Sequence, residues 1–385
     1  MATLNYITQV QFDFGAIRLV RAECERVGIR RPLVCTDRGV VAAGLLARLQ
    51  EALGDLPAAM FDGTPSNPTE AAVEQAVAAY RAHGADGLIA LGGGSSIDLA
   101  KGVAIRATHP EPLAHYATIL GGSPRITAQV APLIAIPTTA GTGSEVARGA
   151  IVILNDGRKL GFHSWHLVPR AAILDPDLTF GLPPKLTAAT GMDAVAHCIE
   201  TYLSKAINPV ADAIALDGLR RAVAHIERAV ADGGDREARW QMMSSSMQGA
   251  LAFQKGLGAV HSLSHALGEL PVDPHHGTLN AVLLPEVVKF NEAAVPDKVR
   301  AVAVVFGCAD GADRLAVWAF GHGDRRGNVR GGDRARAARS LPREQSARGD
   351  GRGLPSVAGG VGVRRAMSRA RLLWHERLGA RAWTS

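Results

Sequence analysis

Gly87-Leu88-Ile89-Ala90-Leu91-Gly92-Gly93-Gly94-Ser95-Ser96-Ile97-Asp98-Leu99-Ala100-Lys101 reads as a short apolar strand, a glycine turn and the start of a helix. A second strand-and-turn follows the same plan, with Leu133–Ile136 running into Pro137-Thr138-Thr139-Ala140-Gly141-Thr142-Gly143-Ser144-Glu145. Upstream, Pro32–Thr36 is apolar, and Val40–Leu53 repeats apolar residues every three to four positions, a helical period. Short buried strands alternating with helices predict βαβ units and a mainly parallel sheet. Ala150–Phe162, turning at Asn155-Asp156-Gly157, predicts a hairpin instead. Beyond Asp175 the pattern becomes helical. Pro183-Pro184 opens a helix to about Tyr202, followed by Ala211–Asp232, Glu237–Leu257, Ala259–Leu270 and Thr278–Ala293. The organisation predicted is an α/β domain over residues 1–180, an all-helical domain over 181–313, and a tail over 314–385.

The 385 residues are 47% apolar and 20% charged, which excludes collagen-like and wholly disordered chains. No run approaches the ~18 uncharged apolar residues of a membrane span. The N-terminal MATLNYITQVQFDFG lacks the basic start and apolar core of a secretory signal. Cys24, Cys35, Cys198 and Cys308 form no CxxC pair, so reduced thiols and a cytoplasmic setting are expected. The net charge of +6 hides an asymmetry. The tail from Arg314 carries sixteen Arg against three Asp and two Glu, a net +11, which leaves −5 on the first 313 residues. Charge therefore gives the main body no reason to seek nucleic acid.

The glycines at 92–94 let the backbone approach a pyrophosphate, and the helix start behind them offers free N–H groups, although such turns also occur without ligands. Two such turns at the ends of parallel strands mark where an open α/β sheet binds its ligand. Asp37 can accept a bond from a ribose 2′-hydroxyl and repel a 2′-phosphate, or it can cap a turn. Asp193 and His197 stand four apart, so they share one helix face, and His261 and His265 repeat the spacing. His275-His276-Gly277 follows Pro274 in a predicted loop. One carboxylate with several imidazoles at ~2 Å suits zinc or ferrous iron with an open position for substrate. His163 and His166, flanking Trp165, read as loop residues.

The ordered set GGGSSIDLAK, PTTAGTGSE, GMDAVAHCIE, HSLSHALG and HHG resembles the iron-containing (group III) alcohol dehydrogenases over residues 1 to about 310. The resemblance extends to Asp37 and to Ser66-Asn67-Pro68-Thr69. It implies a Rossmann-like dinucleotide-binding domain followed by an all-α metal-binding domain. Gly93, Gly94 and Ser95 would cradle the NAD pyrophosphate, with Thr138, Thr139 and Thr142 around the nicotinamide ribose and phosphates. Asn67, Val152, Lys159 and Leu178 would complete the cleft, and Asp37 would favour NAD over NADP. Asp193, His197, His261 and His276 would hold the divalent metal, Fe2+ first and Zn2+ as the alternative, with His275 competing for the last place. His265 would stand near a small alcohol or carbonyl substrate, either as a proton relay or as a support behind the metal ligands. The implied reaction is NAD(H)-linked hydride transfer, made easier by a divalent ion that lowers the pKa of the alcohol; a homodimer is also implied. Maleylacetate reductases are the related alternative, but they usually carry a neutral residue where this chain has Asp193. Nothing after about Asp313 resembles the family's closing helices. An out-of-frame translation accounts for that abrupt Arg/Gly bias, and a basic disordered tail is the other reading. Nucleic-acid binding through the tail is the alternative of a different class, unsupported by any aromatic stacking pattern or reading helix.

Overall fold

Every residue of the quoted strand Gly87–Leu91 is buried, because the sheet it belongs to is covered on both faces. The structure, a computed structural model, describes residues 8–267 and 275–307. The expectations for the tail over 314–385, for Cys308 and for the first seven residues lie outside the described residues. Among the described residues the strands are β1 (Gln9–Phe12), β2 (Pro32–Cys35), β3 (Ala59–Phe61), β4 (Gly87–Gly92), β5 (Leu133–Pro137), β6 (Gly149–Ile153), β7 (Lys159–His163) and β8 (Ala171–Leu174). Six of them form one parallel sheet in the order β1-β8-β5-β4-β2-β3, while β6 and β7 pair antiparallel as the predicted hairpin.

The helices of this half are α1 (Val20–Val27), α2 (Arg38–Ala42), α3 (Leu45–Leu53), α4 (Glu70–His83) and α5 (Gly94–Thr108). Side chains alternate across a strand, so one sequence feeds two cores. Leu88 and Ala90 of β4, with Leu133 and Ala135 of β5, join the core beneath Val73, Val77, Leu99 and Val103 of α4 and α5. Ile89, Leu91, Ile134 and Ile136 face the other way, onto Val20 and Cys24 of α1 and Leu46, Leu49 and Leu53 of α3. The predicted helix Val40–Leu53 is two helices. Gly44 breaks it with φ +75°, a conformation that costs glycine little.

After β8 the described chain is helical: α6 (Pro184–Leu203), α7 (Pro209–Ala231), α8 (Arg236–Ala252), α9 (Ala259–Leu267), α10 (His276–Glu292) and α11 (Pro296–Val305). The fold class is thus an α/β half followed by an all-helical half. α6 is the central rod, packed by α7, α8 and α10, and every residue from Asp193 through Thr201 is buried. His276 and Gly277, expected in a loop, instead open α10, so the side chains of His276 and Asn280 fall one turn apart on the same helix face.

Candidate active site

The chain runs outward from β2 to β3 and then returns to place β4 on the other side of β2, so the sheet has its topological switch point between β2 and β4. Crevices at such points, outside the carboxyl ends of the strands, are where open α/β sheets take ligands. Asp37 ends up there. Its Oδ1 accepts from the Val40 backbone N–H at 3.0 Å, capping α2, and its Oδ2 lies 3.4 Å from Ser96 Oγ in the first turn of α5. Gly93 is the residue preceding α5, and Gly94 opens the helix. A Cβ on Gly94 would stand 2.7 Å from Thr142 Cγ2, so the absence of a side chain lets the two loops meet. The Thr138 backbone N–H donates to Gly92 O at 3.0 Å, and Thr139 lies against Gly93. Ser95 Oγ donates to the Ser66 carbonyl, and Lys159 Nζ donates to Asn67 Oδ1 at 3.0 Å, bringing the Asn67 loop and the hairpin to the same place. Val152 and Leu178 differ from the rest. Both side chains are buried in the apolar cores, one on each face of the sheet.

The second loop joins this crevice to the helical half, because Gly141 packs against Thr190 of α6. Three residues further on, Asp193 begins a buried cluster. Its Oδ1 lies 3.8 Å from His197 Nε2, 3.4 Å from His261 Nε2 and 3.7 Å from His276 Nε2. Ligands at ~2.1 Å in a tetrahedron stand ~3.4 Å apart, so this donor set fits a small divalent ion. Potential ligand atoms of Asp193, His197 and His261 all lie within 4.8 Å of one another. His276 supplies the fourth group from α10, whereas His275 is exposed at the residue before that helix. His265 stands just beyond, its ring centroid 5.0 Å from that of His276 and 6.2 Å from that of His261.

The electrostatics of the cluster favour a cation. Burial alone would raise the pKa of Asp193, but the surrounding imidazoles, His197 foremost, hold its carboxyl well below the usual carboxylate range. Burial works against charge on His261 too, yet hydrogen bonds and charges from Asp193 and Glu200 raise it to about 9. Burial pushes His197 and His276 down to about 4 against the pull of Asp193, and His265 down to about 3, helped by His276 and His261. Neutral His197 and His276 beside an ionised Asp193 are in the state that metal ligation requires, whereas His261 would release a proton on taking up the ion.

Three polar residues around the cluster are not among the candidates drawn from the sequence. Glu200, 3% exposed, accepts from His261 Nδ1. Asn280, fully buried, donates from Nδ2 to Asp193 Oδ1 at 2.7 Å and lies within 3.3 Å of both His261 Nε2 and His276 Nε2. Ser264 Oγ is 3.4 Å from His276 Nδ1. The signal for Glu200 was present. Asp193, His197 and Glu200 fall at i, i+4 and i+7, one face of α6.

Family comparisons agree with this geometry. Residues 8–176 match the model for the iron-containing alcohol dehydrogenase domain, and residues 187–319 match that for the C-terminal domain of the Fe-containing alcohol dehydrogenase family. A 4-hydroxybutyrate dehydrogenase of Cupriavidus necator is 66% identical over 304 residues, covering 78% of this chain and 79% of that protein. A crystal structure of a 1,3-propanediol oxidoreductase superposes with a TM-score of 0.77 at 36% identity, covering 83% of this chain and 85% of that one. A sulfoacetaldehyde reductase from Bifidobacterium kashiwanohense, solved in complex with NAD+, gives a TM-score of 0.77 at 28% identity, covering 83% of this chain and 84% of that one. The chain belongs to the iron-containing alcohol dehydrogenase family, as an NAD-linked oxidoreductase of alcohols and carbonyls.

Proposed function

We propose that this chain interconverts 4-hydroxybutyrate and its aldehyde with NAD(H), using Fe2+ held by Asp193, His197, His261 and His276. The 66% identity to a 4-hydroxybutyrate dehydrogenase carries the choice of substrate. The buried carboxylate and three imidazoles support the ion, and three nitrogens with one oxygen accept zinc as well as iron. Asp193 at the centre of the cluster counts against a maleylacetate reductase. When bound, a divalent ion supplies Lewis acidity toward the alcohol or carbonyl oxygen.

The remaining work falls to the chain's own residues. Gly93, Gly94 and Ser95 bring the start of α5 to the pyrophosphate, where its free N–H groups face the negative charge. Thr138, Thr139 and Thr142 offer hydroxyls to the ribose and phosphates, and Asn67 and Lys159 close the crevice from the hairpin side. Val152 and Leu178 contribute by packing the walls behind it. Asp37 keeps one oxygen toward the turn, which favours a ribose hydroxyl over a phosphate. His265, whose ring stands beside that of His276, serves as the proton relay for the alcohol. Reduced Cys24, Cys35 and Cys198 suit a cytoplasmic enzyme, and the assembly proposed is a homodimer.

The test is formation of NADH by the full chain loaded with Fe2+. The expected result is a kcat/KM for 4-hydroxybutyrate at least about tenfold above that for 1,3-propanediol, a difference of about 1.4 kcal/mol in transition-state binding. Equal values for the two alcohols reject the substrate. Gly94→Ala tests the cofactor crevice. Its new Cβ would meet Thr142 at 2.7 Å and crowd the pyrophosphate, so the Kd for NADH is expected to rise about tenfold or more while the fold persists. Fluorescence titration with NADH measures it.

A further inference from the structure

We propose that Glu200 is a positioning residue of the metal centre, fixing His261 so that its Nε2 faces Asp193; the inference rests on the ligand set proposed above. Glu200 is 3% exposed and lies on α6, the helix that carries Asp193 and His197. Its Oε2 accepts from His261 Nδ1 and, at 3.3 Å, from the His261 backbone N–H, while Oε1 accepts from the Val260 backbone N–H at 2.7 Å. A carboxylate only accepts, so the His261 hydrogen facing Glu200 sits on Nδ1, which leaves Nε2, the nitrogen facing Asp193, as the one that an ion would take. Asn280 Nδ2, a donor, lies 3.3 Å from that Nε2, a contact compatible with an acceptor lone pair there. Carboxylates that take the far N–H of a ligating imidazole fix its orientation and raise its basicity.

The chain makes room for this contact. A Cβ on Gly258 would stand 2.7 Å from Glu200 Oε1, so a larger residue there would press on the carboxylate. Two substitutions therefore perturb the same group differently. Glu200→Gln keeps the volume and one acceptor for the backbone, but presents an NH2 that cannot accept the Nδ1 hydrogen. Gly258→Ala leaves the charge in place and displaces the oxygen.

The experiment titrates Co2+ into the full-length chain after chelation and records affinity, the visible cobalt spectrum and NADH binding. Glu200→Gln is expected to weaken Co2+ about 10- to 100-fold and alter the spectrum. NADH affinity should stay at the parent value. Gly258→Ala should move both metal readouts the same way by a smaller factor, and it decides the matter if Glu200→Gln fails to fold. Parent-like cobalt affinity and spectrum in a folded variant, even with lowered thermal stability, mean that Glu200 merely caps α9 and overturn the proposal. A parent chain that takes up no Co2+ overturns the ligand set itself, whereas a parent that binds it alongside unchanged variants removes Glu200 alone.

Discussion

Asp193→Asn is expected to lose divalent metal and turnover together. The substitution preserves shape but replaces the anion that faces three imidazole nitrogens at 3.4 to 3.8 Å with a neutral amide. Asp193 is 2% exposed, so water cannot restore the missing charge. Removing an outer partner of a ligand already costs about 10- to 100-fold in metal affinity, and losing the charged ligand should cost at least the upper figure. Turnover should fall by about a thousandfold or more, since Lewis acidity is worth several kcal/mol to hydride transfer. Metal content after dialysis and NADH formation measure the two losses. A metal-free Asp193→Asn enzyme with full activity would reject the assignment.

Lys101→Met should produce the largest loss of stability. Lys101 is fully buried, and the three hydrogens of its Nζ are shared among four oxygens at 2.7 to 2.9 Å: Ser144 O, Ser144 Oγ, Ala147 O and Gly149 O. That one ammonium ties the loop after β5 to the hairpin. Burial brings its pKa down to about 8, opposed by Asp98 and Glu145. Burial likewise raises Glu145 to about 7, with Lys101 among the groups opposing the rise. Methionine removes the cation and leaves buried carbonyls and carboxylates without it, a class of change that costs about 3–5 kcal/mol. Denaturant unfolding checks the figure. The pH dependence has a definite sign. A glutamate raised from 4.5 to about 7 holds its proton more tightly in the folded state, so stability from this group falls as pH rises across that window. Without Lys101 the ionised Glu145 is less compensated, so the deficit should be smaller at pH about 5 than at pH about 8.

Much of this architecture was readable from residues, for reasons that differ by element. β4 and β5 showed because strands covered on both faces are continuously apolar. β1 and β3 lie at the two edges of the sheet, are only partly buried and carry no such run, so they passed unnoticed. The helix break at Gly44 hid inside an unbroken apolar period, since periodicity does not register a left-handed residue. In the site, Asp193, His197 and His261 were legible from four-residue spacing and side-chain chemistry. Choosing between His275 and His276 needed the start of α10, which spacing alone does not fix. Asn280 escaped because a neutral amide is not a ligand type, and Glu200 because a helical glutamate ordinarily faces water.

The proposed ligands come from α6, α9 and α10, and Asp193 and His276 lie 83 positions apart along the chain. An ion shared by all of them would act as a reversible crosslink, closing long loops as a staple does. Its affinity is then written into the melting temperature, and a preparation short of iron would be mistaken for one that is badly folded.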